Sequence, residues 1–252
     1  MVTENKKKQY ESGHAKILES WDTLVAMDAT LDSARLNAPG DLKSSALVSA
    51  QTEARATQNN VGNSLADFRT VALERAVMID AFDSLATRMV AQLEARGASK
   101  ETINDARSYE RKVQGRRAKA KAKDNPETPD IDESEKSISA SQQSSAAKIS
   151  TMYELLDFCE AQSEYADVTQ EGLNAADVRD YIDTTQAKHD SSIVAAAKLS
   201  NDRISRNRTF YNNDGSICNL AARYKALVKG AYGAKSPEYK AVNAIPFKKP
   251  KM

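Results

Sequence analysis

Cysteine occurs only twice in the 252 residues, at Cys159 and Cys218, far apart in the chain. That excludes a disulfide framework and a cysteine-held zinc site, and the two thiols are expected to serve as packing residues on helices. Nine glycines and six prolines are too few for a fold of many short strands and tight turns. Long apolar runs are missing as well. Nothing approaches the roughly 18 consecutive apolar residues of a membrane-spanning helix, so no membrane insertion is expected. The start, MVTENKKKQYESGHAKI, has a basic cluster with no apolar run behind it, so no secretory signal is expected and the default location is cytoplasmic. Charge of one sign is lacking too, since 36 basic and 35 acidic residues leave a net +1. Leu, Ile, Val and Phe number 45, under a fifth of the chain. Such a shortage accompanies disorder when net charge is high, and here it is not.

What is abundant is alanine, with 39 residues. Its neighbours are mostly Leu, Lys, Arg, Glu and Gln, which cost little in a helix. Apolar residues recur at three- and four-residue steps. Ile17, Trp21, Leu24 and Leu31 make one stripe, and Leu65, Phe68, Ala72, Ile79, Phe82, Ala86, Met89 and Leu93 another. In the second half, Ile149, Met152, Leu156 and Cys159 form a third. Val178, Tyr181, Thr185, Ser192, Ala196 and Leu199 follow, then Ile217, Leu220, Ala221, Tyr224, Leu227 and Val228. This is helical periodicity, and no stretch alternates with period two.

Breaks between the stripes are legible. Ala38-Pro39-Gly40-Asp41 is expected to end the first helix, with Asp41 capping the next. Gly97 suits the left-handed position beyond a helix end, and Ser99 restarts the chain. Residues 124–132, DNPETPDID, read as a linker. The chain turns again at 169–174 and at Asn213-Asp214-Gly215, where Asp214 or Ser216 caps the next helix. Gly230 and Gly233 stop that helix, and Ser236-Pro237-Glu238 opens a last short one.

The two halves repeat each other. Ala15-Lys16-Ile17 returns as Ala147-Lys148-Ile149, and Asp41-Leu42 as Gly172-Leu173. Leu85-Ala86-Thr87-Arg88 returns as Leu220-Ala221-Ala222-Arg223, and Gly97-Ala98-Ser99-Lys100 as Gly233-Ala234-Lys235-Ser236. Residues 109–113 are matched with 238–242. The organisation read from this is a first repeat over 1–123 with a basic C-terminal helix, an acidic Pro-containing linker over 124–135, and a second repeat over 136–252 with a basic tail. The expected fold is all-α, an antiparallel helical bundle built from two duplicated long helical hairpins.

The second copy closes on Val228-Lys229-Gly230-Ala231-Tyr232-Gly233-Ala234-Lys235-Ser236-Pro237-Glu238-Tyr239, followed by the basic Phe247-Lys248-Lys249-Pro250-Lys251. This resembles a V-K-x-x-Y/F-G-x-x-S-x-E-Y motif with a basic tail in uncharacterised bacterial all-helical proteins. The resemblance spans about 25 residues and implies a helical architecture but no activity or functional residue. The first copy departs from the motif, because residues 97–113 lack its compact spacing.

Catalytic and metal chemistry find little footing. Glu11-Ser12-Gly13-His14 spells one Glu-x-x-His, but a dicarboxylate metal site needs two such motifs, and the duplicated counterpart Gln143-Ser144-Ser145-Ala146 has no ligand. His189 is preceded at three residues by Gln186. Phosphate-cradling glycine loops and Gly-x-Ser-x-Gly do not occur, and Asn213-Asp214-Gly215 lacks the glutamate of a calcium loop. No enzyme activity, metal or cofactor is therefore expected. Two surfaces remain. Arg111, Lys112, Arg116, Arg117, Lys119, Lys121 and Lys123 lie in thirteen residues without an acid, a block able to neutralise phosphates. Six acids follow in 124–135, and no aromatic is interleaved for base stacking. Seven of nine tyrosines fall in the second copy, and Tyr224, Tyr232 and Tyr239 are candidates for an interface. The reading is a structural or scaffolding protein that self-associates as a homo-oligomer or docks a helical partner. The alternative is a nucleic-acid-associated protein that grips the phosphate backbone through residues 111–123.

Overall fold

The computed structural model describes residues 12–116 and 143–247. In them the chain is all-α, a helical bundle without strands among the described residues. The first copy runs α1 (Ser12–Asp28), a one-turn α2 (Ser33–Leu36), a 3-10 turn (Gly40–Leu42), α3 (Ser44–Ala95) and α4 (Lys100–Val113). The second runs α5 (Ser145–Glu160), a one-turn α6 (Ser163–Ala166), α7 (Ala175–Asn207), a π-helical turn (Arg208–Asn212), α8 (Ile217–Tyr232) and α9 (Pro237–Ala244). The linker, the tail from Lys248 on, and Arg117, Lys119, Lys121 and Lys123 lie outside the described residues.

Local chemistry sets most of the ends. Ser99 Oγ accepts from Thr102 N (3.1 Å) at the start of α4, and Ser236 Oγ from Tyr239 N (3.1 Å) at the start of α9, where Pro237 takes the first turn. Gly97 (φ +80°) and Gly233 (φ +90°, ψ 153°) take the positive φ that favours glycine just past α3 and α8. Three ends differ from expectation. α1 stops at Asp28, ten residues before the Pro-Gly turn, because Asp32 accepts from Ala34 N and Arg35 N and starts α2 as a separate turn. Asp41 does not cap α3: the Lys43 carbonyl receives the first helical bond, from Leu47 N (3.0 Å), and the Asp41 carboxylate instead pairs with Arg223. Gly230 lies inside α8, which ends at Tyr232.

The duplication extends to backbone hydrogen bonds. Ala29 N→Val25 O and Thr30 N→Met27 O in the first copy match Ala161 N→Asp157 O and Gln162 N→Cys159 O in the second. Leu42 N→Pro39 O matches Leu173 N→Gln170 O, and Leu47 N→Lys43 O matches Val178 N→Asn174 O. Buried positions follow suit: Ile17 with Ile149, Leu24 with Leu156, Leu47 with Val178, Ala54 with Thr185 and Val61 with Ser192. Further on, Phe82 pairs with Ile217, Ala86 with Ala221, Met89 with Tyr224 and Leu93 with Val228. Across that step the separation lengthens by four residues. The second copy spends the extra length on the π turn and on Asn213-Asp214-Gly215, so one uninterrupted helix in the first copy is two in the second. The match of 109–113 with 238–242 is corrected by the caps: Ser99 and Ser236 put Tyr239 opposite Thr102, and α4, with 14 residues against 8 in α9, leaves Val113 without a counterpart.

The chain forms two compact units, and their limits fall inside α3 and α7. Unit 1 comprises Met1–Ala66 and Ala197–Met252; unit 2 is Asp67–Ala196. Each draws on both copies. Unit 1 packs α1, α2 and the start of α3 with α8 and α9 around Ile17, Trp21, Leu24, Leu47, Phe210 and Tyr224. Unit 2 packs the rest of α3 and α4 with α5, α6 and the start of α7 around Phe82, Met89, Leu93, Ile149, Met152, Leu156 and Tyr165. Within unit 2, α3 and α7 run antiparallel: Tyr181 Oη donates to Met78 O (3.1 Å), and further along α7 Lys188 pairs with Glu74 (2.7 Å).

Candidate functional site

The basic segment is seen at its root. Arg111 and Lys112 occupy the last turn of α4, where cations complement the negative end of the helix. The Lys112 ammonium sits 5.1 Å from the Tyr109 ring centroid, and Arg116 is exposed just beyond the helix. Gly115 (φ +67°) makes the turn, and a Cβ there would stand 2.7 Å from Gln143, whose Nε2 donates to Lys112 O (2.9 Å). The beginning of the second copy is thus seated on the end of α4.

The three tyrosines divide by burial. Tyr224 is fully buried in unit 1 and its Oη donates to Asp28 Oδ1 (2.6 Å). Burial and then that carboxylate push its phenol well above the usual tyrosine range. Its surface is used up by its own unit, so it does not join an outer face. Tyr232 is half-buried at the end of α8: its Oη accepts from Asp32 N (3.0 Å), and the Arg35 guanidinium lies 4.4 Å from its ring centroid. Tyr239 is half-buried on α9 against the same core. Tyr232 and Tyr239 therefore rim unit 1, with their inner edges committed to it.

His14 is buried, its Nε2 3.1 Å from Asn207 Oδ1, with its ring against Phe210 and Tyr211. Among the described residues no group of three His, Cys, Asp or Glu stands close enough to hold a metal ion. No helix there is long and apolar enough to cross a membrane. Cys159 and Cys218 are buried in separate cores, and burial pushes the Cys159 thiol up to about 12.

Sequence reading passed over the exposed apolar side chains of unit 2. Leu73 (66% exposed) and Val77 (63%) stand one turn apart on α3, and Val194 (68%) on α7. Each lies nine residues from a fully buried position, Phe82, Ala86 and Thr185 respectively. Nine residues are two and a half helical turns, so these side chains project opposite the core. The signal was present: these residues are out of phase with the stripes that define the core.

Two matched arginines line cavities. In unit 1, Arg223 borders an open cavity with Asp214, Asn219 and Ala222, and its guanidinium pairs with Asp41. The Arg223 hydrogen bond holds the Asp41 carboxyl below its usual range. In unit 2, Arg88 borders a cavity of about 260 Å³ with Ala81, Ser84, Leu85, Gly172, Asp177 and Tyr181. Comparisons with protein-family models, with curated proteins and with solved structures return no match to this chain.

Proposed function

We propose that the chain is a non-enzymatic scaffolding protein that works by association of helices, first of all with a second copy of itself. The observation that carries this reading is the pair Leu73 and Val77, about two-thirds exposed, one turn apart and opposite the core side of α3. Large aliphatic side chains at helical spacing on the outer side of a long helix favour a helical partner, because a second apolar stripe removes both from water. The half-buried Tyr232 and Tyr239 on unit 1 add amphipathic surface of the kind that interfaces favour. Sedimentation velocity across a concentration series tests the reading. Reversible self-association that Leu73→Glu with Val77→Glu abolishes supports it; a strict monomer at tens of micromolar defeats it.

A second reading has its own support. Arg111 and Lys112, half-buried in the last turn of α4, and Arg116, exposed just beyond it, open a cationic run, and such a run binds phosphate backbones without sequence preference. An electrophoretic shift series in rising salt tests it. Binding must weaken steeply with salt and be lost when Arg116, Arg117, Lys119 and Lys121 are changed to Glu.

A further inference from the structure

We propose that unit 2 carries a binding site for a carboxylate group, centred on Arg88. The duplication supplies the template. Arg88 and Arg223 close matched tetrapeptides whose leucine and alanine are buried in both copies: Leu85 and Ala86, Leu220 and Ala221. On the facing turn, Asp41 and Gly172 each precede a buried leucine, Leu42 or Leu173, and both leucines make the same backbone hydrogen bond to the residue three back. The arginine and the facing residue are therefore in register in the two units. In unit 1 the facing residue is an aspartate, and its carboxylate takes the guanidinium of Arg223.

In unit 2 the facing residue is glycine. Gly172 brings no side chain, and Arg88 has no ion pair or hydrogen-bond partner among the described residues. Arg88, which is exposed, lines a cavity there together with Ser84, Gly172 and Tyr181. Arginine's planar fork matches a carboxylate with two parallel hydrogen bonds. At about 260 Å³ the cavity is smaller than those that take drug-sized ligands, which suits an acid of a few carbons or a single acidic side chain. Asp177 also borders the cavity and opposes an anion. Its Oδ2 is already engaged by Gly172 N (2.7 Å) and Asn174 Nδ2 (2.6 Å) at the start of α7, where the helix dipole offsets its charge. The opposing charge limits affinity to the millimolar range. The site does not depend on self-association.

The test uses the full-length ¹⁵N-labelled protein, observed at Arg88 Nε–Hε and at the Gly172 and Tyr181 amides. It is titrated with sodium succinate, with N-acetyl-aspartate methylamide, and with sodium chloride at matched ionic strength. Both carboxylates are expected to give a saturable shift that chloride does not. Arg88→Gln should abolish it at the two amides, Arg88→Lys should weaken it severalfold, and Arg223→Gln should leave it unchanged. Tighter binding of succinate assigns the site to a free acid; equal or tighter binding of the aspartate mimic assigns it to an acidic side chain of a protein. No saturable shift up to about 50 mM, or one that survives Arg88→Gln, overturns the proposal.

Discussion

Unit 1 and unit 2 are assembled from matching helices, yet they close with different chemistry. Unit 1 centres on Trp21, Phe210 and Tyr224 and buries polar pairs, Tyr224 with Asp28 and His14 with Asn207. Unit 2 places Met89 where unit 1 has Tyr224, and Tyr153, half-buried, where unit 1 has Trp21; its core is mostly aliphatic. Its one buried tyrosine, Tyr165, donates to a backbone carbonyl, Leu173 O (2.8 Å), and its ion pairs lie nearer the surface, as where Arg179 joins Asp157 (2.8 Å) and Glu160 (2.7 Å). The backbone plan is thus separable from the way a core is filled. A fixed pattern of buried positions accepts an aromatic and a hydrogen-bonded carboxylate in one unit and aliphatic side chains in the other.

The largest effect that breaks the parallel is expected at the Trp21 position. Trp21 is fully buried and its Nε1 donates to Leu47 O (3.2 Å). Trp21→Ala should cost about 3–5 kcal/mol, read from urea unfolding by circular dichroism, with hydrogen-exchange protection lost first in α1 and α8. Tyr153→Ala, at the matched but half-buried position, should cost clearly less. Equal costs would mean that the two cores are equivalent after all.

Alkaline titration sets a buried thiol of unit 2 beside phenols of both units, since Tyr153 of unit 2 is also pushed up to about 12, by burial and then by Asp183. In unit 2 the Cys159 thiol is pushed up to about 12 by burial, and in unit 1 the Tyr211 phenol likewise to about 12. Both groups are neutral in the folded protein and lose their protons more readily when unfolded, so the unfolded state binds fewer protons once pH passes the unfolded value. Stability is therefore full below about pH 8.5 for the thiol and about pH 10 for the phenol, and falls as pH rises toward 12. Urea midpoints taken from pH 8 upward should drop in that window. Cys159→Ala should remove the earlier part of the fall.

Tyr224→Phe comes next. It leaves the buried Asp28 carboxylate without its phenol donor and should cost about 1–3 kcal/mol. Met89→Leu at the matched position of unit 2 has no such group to orphan and should cost under about 1.5 kcal/mol. Paired urea midpoints decide it.

Where the comparison was legible in the sequence, the cause was local. Ser99, Ser236, Gly97, Gly233 and Pro237 fix helix ends through their own backbone and side-chain chemistry, and the stripes fix which face of each helix is buried. Leu31 continues the spacing of α1 while the Asp32 cap that divides the chain lies one residue further on, so periodicity alone overextends that helix. Which stripe meets which was not legible. Periodicity gives the direction of a face but not its partner, so the exchange of helices between the copies appears only in the packing. Tyrosine spacing likewise does not distinguish Tyr224, wholly enclosed, from Tyr232, on the rim. The matched Leu-Ala-x-Arg sequences were visible, but the departure at Gly172 acquires meaning only once Asp41 is seen against Arg223.

The smaller tests sharpen the parallel. Ser99→Ala and Ser236→Ala remove equivalent caps and should each cost about 1 kcal/mol, with α9 fraying more than α4 in hydrogen exchange because it is shorter. Smallest in energy is Asp41→Ala. It frees Arg223 as Gly172 leaves Arg88, and should add a second, weaker succinate site that shifts Arg223 Nε–Hε. A variant that binds at Arg88 alone would show that the two cavities are not equivalent.

Because each unit takes its opening helices from one copy and its closing helices from the other, neither copy alone holds a complete core. Separate copies could assemble such units only by meeting, at a rate that falls with dilution. Carried on one polypeptide, the same meeting is intramolecular, governed by the effective concentration that chain connectivity sets. Folding of this protein is therefore first order: its refolding rate should be the same at nanomolar as at micromolar concentration, whatever its later association.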